Sequence, residues 1–386
     1  MKRKVIIGSA HHWQSPIQIS AHQLARQFVK QGWQVAFISN PISPIHLLRC
    51  NESLIASRFK NWCKGGDYDE EGRLFHYCPM TCMPLMSKTA QYSWVVNHWH
   101  QFAIPNPAEI LKEHGFSDVD MLLLDSPLQG YLLNNIHAKK TIFRVTDFNP
   151  GFGSSTKILR VNEAQLIKKV DCVVITAEKL RNYVVELGAR SVIHMPNGVD
   201  FVQFSKPQLM PPLEYFNIPK PRAIYVGSMG EWFDYSLLEQ AVVALPKVSF
   251  VLIGPDRMAK KRLKSYPNLF VLGPRSHDTI PGYLQYADVG LIPFDVLNYA
   301  NLVSSINPIK LYEYFACGLP VVATDWDELR NLSSPAHICK TTCSFIDKIR
   351  HIVFSNRKET EQVCSYAAEN DWQNQFKKFL HSVDYV

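Results

Sequence analysis

The chain reads as an α/β protein made of two doubly wound, Rossmann-like halves. Three observations predict this. Short apolar runs alternate with amphipathic segments from end to end, which argues for parallel strands covered by helices on both faces. The alternation occurs twice, on either side of a proline-rich stretch. At 386 residues the chain is long enough for two full cores.

In the first half the strands fall at residues 4–7, 34–39, 121–125, 141–145 and 172–176. A helix over 20–31 places Ala21, Leu24, Ala25, Phe28 and Val29 on one side. In the second half the strands fall at 223–226, 249–253, 270–272, 289–293 and 320–323. Between the halves, residues 206–221 carry prolines at 207, 211, 212, 219 and 221 and read as a linker. The domains are therefore expected at 1–205 and 222–364. A long final helix, from about 359, is expected to bring its last part (365–386) back onto the first domain. Ligands of such sheets sit beyond the carboxyl ends of the strands, so an interdomain cleft is the expected site.

Composition narrows the function. Hydrophobic residues make up 46% and charged residues 19%, as in an ordinary globular protein. No apolar run reaches the ~18–20 residues of a membrane span. The basic start, MKRKVIIGSA, has too short an apolar part for a secretory leader and reads as the first strand. The nine cysteines are scattered. The spacings Cys78/Cys82 and Cys339/Cys343 lack the partners of a zinc site, so reduced thiols and no metal are expected. The net charge is +7, and residues 1–205 hold most of it, with 22 Lys and Arg against 16 Asp and Glu. That surplus suits an anionic membrane surface or a pyrophosphate-linked lipid. No dense basic run or nucleic-acid motif accompanies it, so nucleic acid is not an expected partner. After strand one the chain reads GSAHHW rather than G-x-G-x-x-G, which disfavours a dehydrogenase.

The richest motif is 307–324, NPIKLYEYFACGLPVVAT. Lys310 and Glu313 lie one turn apart on a short helix. A Lys ammonium and free amides near a helix start suit a diphosphate. A carboxylate one turn on, Glu313, can accept both hydroxyls of a ribose. Gly318 stops the helix, Pro320 prevents its continuation, and 321–323 is an inner strand. Diphosphate plus ribose is the handle of a sugar nucleotide. An amphipathic helix with a surface Lys and Glu is the plain alternative for the K-x-x-E alone. Gly227, Ser228 and Met229 form a strand-to-helix turn that either faces the diphosphate or merely connects.

Two such halves with the K-x-x-E-Y-x-A-x-G-x-P-V-V pattern in the second resemble a GT-B glycosyltransferase. More narrowly, the chain is similar to the xanthan-type, GumK-like glucuronosyltransferase family, which forms β-linkages with inversion. The blocks that carry this are SAHHWQSP at 9–16 with His22 beyond it, RVTD at 144–147, VGSM at 226–229 and LPKVSFVLIG at 245–254. The resemblance implies a hexosyltransferase that moves a sugar, glucuronate among the candidates, from a UDP-sugar to a lipid-pyrophosphate-linked oligosaccharide or a polysaccharide precursor. From the residues alone Asp147 reads first as a cap of the turn that follows; the resemblance reverses this and implies Asp147 as the base that takes the acceptor proton. His11 takes a supporting catalytic role in binding or orienting the acceptor. On the donor side the resemblance brings Ile309 in with Lys310 and Glu313. It places Gly273–Arg275 where related enzymes hold uracil, although Arg275 also reads as an exposed side chain.

Retaining relatives carry a second glutamate at the position of Ser305, which argues for inversion here. The resemblance is not to the metal-dependent transferase fold with its D-x-D diad, so no divalent metal and no cofactor beyond the UDP-sugar co-substrate is expected. Residues 83–104 mix Tyr92, Trp94, Trp99 and Phe102 with Lys88 and His98. They read either as a membrane-surface patch or as a packed helix. A cytoplasmic protein, peripheral on the inner face of the cell membrane, is the expected setting. Two other classes share parts of the pattern: a UDP-sugar epimerase of the same fold, and a non-catalytic glycan-binding partner in a biosynthetic complex.

Overall fold

The computed structural model describes residues 2–15, 18–47, 52–83, 85, 92–152, 157–355 and 360–384. It resolves into two compact units, residues 1–196 with 376–386, and residues 197–375. The division thus falls at Pro196/Asn197. The proline-rich stretch 206–221 lies within the second unit, and the final helix, Trp372–Asp384, contributes its residues from Phe376 onward to the first.

The first unit is built on an eight-stranded sheet in the order β3-β4-β2-β1-β5-β6-β7-β8. Its strands are β1 (Lys4–Ser9), β2 (Gln34–Ser39), β3 (Asp67–Asp69), β4 (Leu74–Tyr77), β5 (Asp118–Leu124), β6 (His137–Val145), β7 (Cys172–Ile175) and β8 (Val192–His194). All pairings are parallel except β3 with β4. The central strands are apolar on both faces, and Val5, Ile6 and Ile7 are fully buried, because helices cover both sides of the sheet. The helix Ser20–Lys30 buries Ala21, Leu24, Ala25, Phe28 and Val29, and Phe28 meets Phe376 edge to face.

The second unit holds a six-stranded, all-parallel sheet in the order β11-β10-β9-β12-β13-β14. These strands are β9 (Arg222–Val226), β10 (Ser249–Ile253), β11 (Leu269–Gly273), β12 (Val289–Ile292), β13 (Val321–Thr324) and β14 (His337–Cys339). Both orders reverse direction about a central strand, as in doubly wound folds. The sequence reading lacks β3, β4, β8 and β14. Each is an edge or near-edge strand of three or four residues. None is long enough to show a periodicity of its own.

The 83–104 segment divides between its two readings. Trp99 is fully buried and its indole N–H donates to the Leu128 carbonyl at 2.9 Å, so it belongs to the core. Tyr92, Trp94, Phe102 and Ile104 are exposed. Lys88 lies outside the described residues.

Candidate functional site

In the second unit the turn after β9 and the helix Ile309–Ala316 come together. Gly227 has φ +144°, a backbone conformation side chains rarely adopt, and a Cβ there would stand 2.9 Å from Lys310 Cε and 3.2 Å from its Nζ. Lys310 therefore lies directly on the Gly227 backbone, which only glycine permits. The turn is pinned from below. The Tyr225 hydroxyl donates to the Ser228 carbonyl at 2.7 Å, and the Tyr235 hydroxyl donates to the Met229 carbonyl at 2.6 Å. Ser228 itself is exposed and Met229 is buried. The Lys310 ammonium stands 5.2 Å from the Tyr225 ring centre and 5.1 Å from that of Phe294, so ring faces border it.

The helix start is fixed by an amide pair. Asn197 donates from its backbone N–H to Asn307 Oδ1 at 3.3 Å and from its side chain to the Asn307 carbonyl at 2.8 Å. Pro308 is the N-cap and no side chain caps the first turn. The partial positive charge of that turn is thus unopposed by any capping oxygen, in the same place as the Lys310 charge. At the other end Cys317 caps the helix, and Gly318 at φ +71° lets Leu319 donate back to the Tyr314 carbonyl at 3.0 Å. The Tyr314 hydroxyl accepts from the Val226 N–H at 2.7 Å, which locks the helix to the end of β9.

Glu313 is largely buried and its Oε1 is 3.0 Å from His277 Nε2. His277 sits in the short 3-10 turn His277–Thr279, beyond the end of β11. Sequence reasoning missed His277: it lies 36 positions from Glu313 in a loop without a motif, and only the fold joins them. Ile309 is half-buried at the helix start. Arg275 is half-buried and already engaged. Its guanidinium pairs with Glu214 at 2.9 Å, meets the Tyr283 hydroxyl at 3.1 Å and donates to the Leu272 carbonyl at 2.6 Å. It holds the loop after Gly273 in shape.

In the first unit, the block after β1 forms a nest of neutral histidines. His22 accepts from the Ile19 N–H on Nδ1 at 3.2 Å and so carries its proton on Nε2, which donates to the His12 carbonyl at 3.0 Å. The His22 ring stacks on Trp13 at 5.5 Å. Burial is the main cause that pushes His22 down to about 4, and burial with the Arg58 charge pushes His12 down to about 3. His11 is half-buried and its own pKa is lowered, by burial first and then by Arg58. Its backbone N–H donates to Ser9 Oγ at 3.2 Å.

Asp147 lies just beyond the carboxyl end of β6, half-buried, and Thr146 Oγ1 donates to its Oδ2 at 3.1 Å. Three residues earlier, Arg144 does a structural task. It pairs with Asp125 at 3.1 Å and donates to Ser20 Oγ at 2.7 Å, with both charged side chains almost fully buried. Burial pushes the Asp125 carboxyl up, against the pull of Arg144. This pair ties the ends of β5 and β6 to the start of the first helix. It stiffens the strand end from which Asp147 projects.

Comparison with known proteins places both units. Residues 7–176 match the family model described as glucuronosyltransferase GumK, N-terminal domain. Residues 220–353 match that of glycosyl transferases group 1. A protein of Bacillus subtilis (strain 168), named as a teichuronic acid biosynthesis glycosyltransferase, TuaH, is 23% identical over 239 residues. That match spans 58% of this chain and 59% of the relative's length. Among solved structures, sucrose-phosphate synthase from Thermosynechococcus elongatus superposes with a TM-score of 0.73 at 14% identity, covering 100% of this chain and 99% of that one. HepE of Anabaena, solved in complex with UDP and glucose, gives a TM-score of 0.66 at 13% identity, covering 99% of both chains. The chain thus has the GT-B fold of these solved structures, with a first part that matches the GumK N-terminal domain model and a second part that matches the model of glycosyl transferases group 1.

Proposed function

We propose that the chain transfers a sugar, glucuronate being the first candidate, from a UDP-sugar to a lipid-linked oligosaccharide or polysaccharide precursor, with inversion. The observation that carries this reading is the seat of Lys310 on Gly227, with Glu313 one turn further along the same helix. The donor diphosphate lies against Lys310, the Gly227–Met229 amides and the Ser228 hydroxyl. Ile309 contributes its backbone at the uncapped helix start. Glu313 takes the ribose hydroxyls, oriented by His277, and the loop 273–275, braced by Arg275, takes the uracil.

Asp147 removes the proton of the acceptor hydroxyl as that oxygen attacks the anomeric carbon. The bond from that carbon to the diphosphate breaks on the opposite face, and UDP leaves with its new charge against Lys310. His11, kept neutral, orients the acceptor as donor or acceptor of a hydrogen bond. Because a lysine and backbone amides supply the positive charge, transfer proceeds without a divalent ion. The TuaH-like relative and the GumK-type domain support a polysaccharide acceptor. The exposed Tyr92, Trp94, Phe102 and Ile104, with the positive surplus of residues 1–205, support attachment to an anionic membrane from the cytoplasmic side.

The test is UDP release from a panel of UDP-sugars, with and without lipid-linked acceptor. Acceptor-dependent release supports the reading. A change of the sugar without acceptor makes the protein an epimerase, and neither activity leaves a binding partner.

A further inference from the structure

The contacts around the donor seat close into a ring within the second unit. Lys310 lies on Gly227, and Glu313, on the same helix, meets His277 at 3.0 Å. Four positions before His277 stands Gly273, whose carbonyl accepts from the Gly254 N–H at 3.1 Å. Gly254 returns the ring to its start, for a Cβ there would stand 2.0 Å from the Gly227 carbonyl oxygen. Gly227, Gly254 and Gly273 thus occupy the carboxyl ends of the adjacent strands β9, β10 and β11, with φ of +144°, +144° and +75°. Three such ends leave bare backbone for a flat group to approach. Strands lie 4.7–4.9 Å apart, so Gly273 is about 10 Å from Gly227. A nucleotide with its diphosphate on Lys310 and its ribose on Glu313 would bring its base to Gly273.

An ionised side chain stands at that end of the ring. Asp256 Oδ2 is 3.3 Å from the place a Cβ on Gly273 would take. Asp256 holds the N-cap position of the short helix Arg257–Arg262, where an aspartate ordinarily accepts from the amides of the first turn. This one makes no such bond. Its Oδ2 instead pairs with Lys260 at 2.7 Å. That bond is the first cause holding the carboxyl below the usual carboxylate range, so it is ionised at neutral pH and can only accept. An i,i+4 ion pair on an exposed turn adds little to stability. It does fix where the carboxylate points, beside the end of β11.

We propose that Asp256 is a specificity-determining residue, whose carboxylate accepts the N3–H of uracil and so selects UDP-sugars. Uracil and cytosine have nearly the same size and shape. They differ at this edge, for N3 of uracil carries a proton and N3 of cytosine a lone pair. An acceptor-only group facing N3 attracts the first and repels the second. The inference rests on the proposed donor seat at Lys310 and Glu313 and extends it to the choice of base.

The experiment is calorimetric titration of the full chain with UDP and with CDP, for the wild type, Asp256→Asn and Lys260→Met. The wild type is expected to bind UDP at least about tenfold more tightly than CDP, the worth of one hydrogen bond to a charged group. Asp256→Asn should bring the two within about threefold, because an amide can turn either its donor or its acceptor toward the base. Lys260→Met removes the ion pair, keeps the carboxylate and should retain the preference for UDP. A preference unchanged in Asp256→Asn overturns the proposal. So does one erased equally in Lys260→Met, which would make the shape of the turn the cause. A wild type that favours CDP places the carboxylate on the cytosine amine and overturns it too. A wild type that binds neither nucleotide overturns the donor seat itself, and this proposal with it, a result distinct from any change in the UDP-to-CDP ratio.

Discussion

At the residue scale, Asp147 and Gly227 make the sharpest demands. Replacing Asp147 with Asn keeps the shape and removes the ability to take a proton. Loss of a general base costs about 10²–10⁴-fold in rate. Steady-state kinetics on Asp147→Asn should show that loss in kcat with UDP affinity near that of the wild type. Gly227→Ala tests the donor seat differently. The added methyl meets Lys310 at 2.9 Å and is forced into φ +144°, so Lys310 must shift. Strain of this kind costs about 1–3 kcal/mol. Chemical denaturation should report that loss, and UDP titration a weaker complex. Lys310 and Glu313 were legible in the sequence because they share one helical turn. His277 was not, since no local pattern links it to Glu313. The Arg144-to-Asp147 block was legible as a unit, but the sequence did not reveal that its arginine serves the core through Asp125.

At the scale of elements, the segment around Trp94 and Trp99 shows what periodicity leaves open. Two tryptophans five positions apart have opposite fates, Trp99 fully buried and Trp94 54% exposed. Trp99→Ala should cost about 3–5 kcal/mol of stability, as large-to-small core changes do. Trp94→Ser with Ile104→Ser should leave the melting temperature nearly unchanged. The strands β1, β2, β5, β6, β7, β9, β10, β11, β12 and β13 announced themselves as apolar runs. The short β3, β4, β8 and β14 did not, because pairing with a neighbour rather than their own pattern makes them strands. The histidine nest after β1 adds a pH dependence. His12 and His22 have folded values near 3 and 4, below the usual 6.5 of the unfolded chain. Between those limits the unfolded state binds more protons. Stability is therefore fully present above pH 6.5 and is lost as pH falls toward 4. Denaturation midpoints at pH 7 and pH 5 should differ in that direction, and His22→Gln should flatten the slope.

At the scale of the whole molecule, charge and exposed apolar groups together set the proposed location. Among the described residues no helix is long and apolar enough to cross a membrane. Surface lysines and arginines contribute about 1 kcal/mol each near an anionic bilayer, screened beyond ~8–10 Å at physiological salt. Sedimentation with anionic vesicles should show binding that falls incompletely with salt. Trp94→Ser with Ile104→Ser should remove the salt-resistant part, and indifference to anionic vesicles at low salt would refute the membrane proposal.

The central claim, a UDP-sugar seated in the second unit on Lys310 and Glu313, is most directly tested by calorimetric titration of UDP. The wild type should bind, and Glu313→Ala and Lys310→Ala should each weaken the complex. The Glu313 loss should be about 1–3 kcal/mol, the cost of stranding hydrogen-bonded groups. Asp147→Asn should bind like the wild type. Unchanged UDP affinity in both Glu313→Ala and Lys310→Ala would contradict the account.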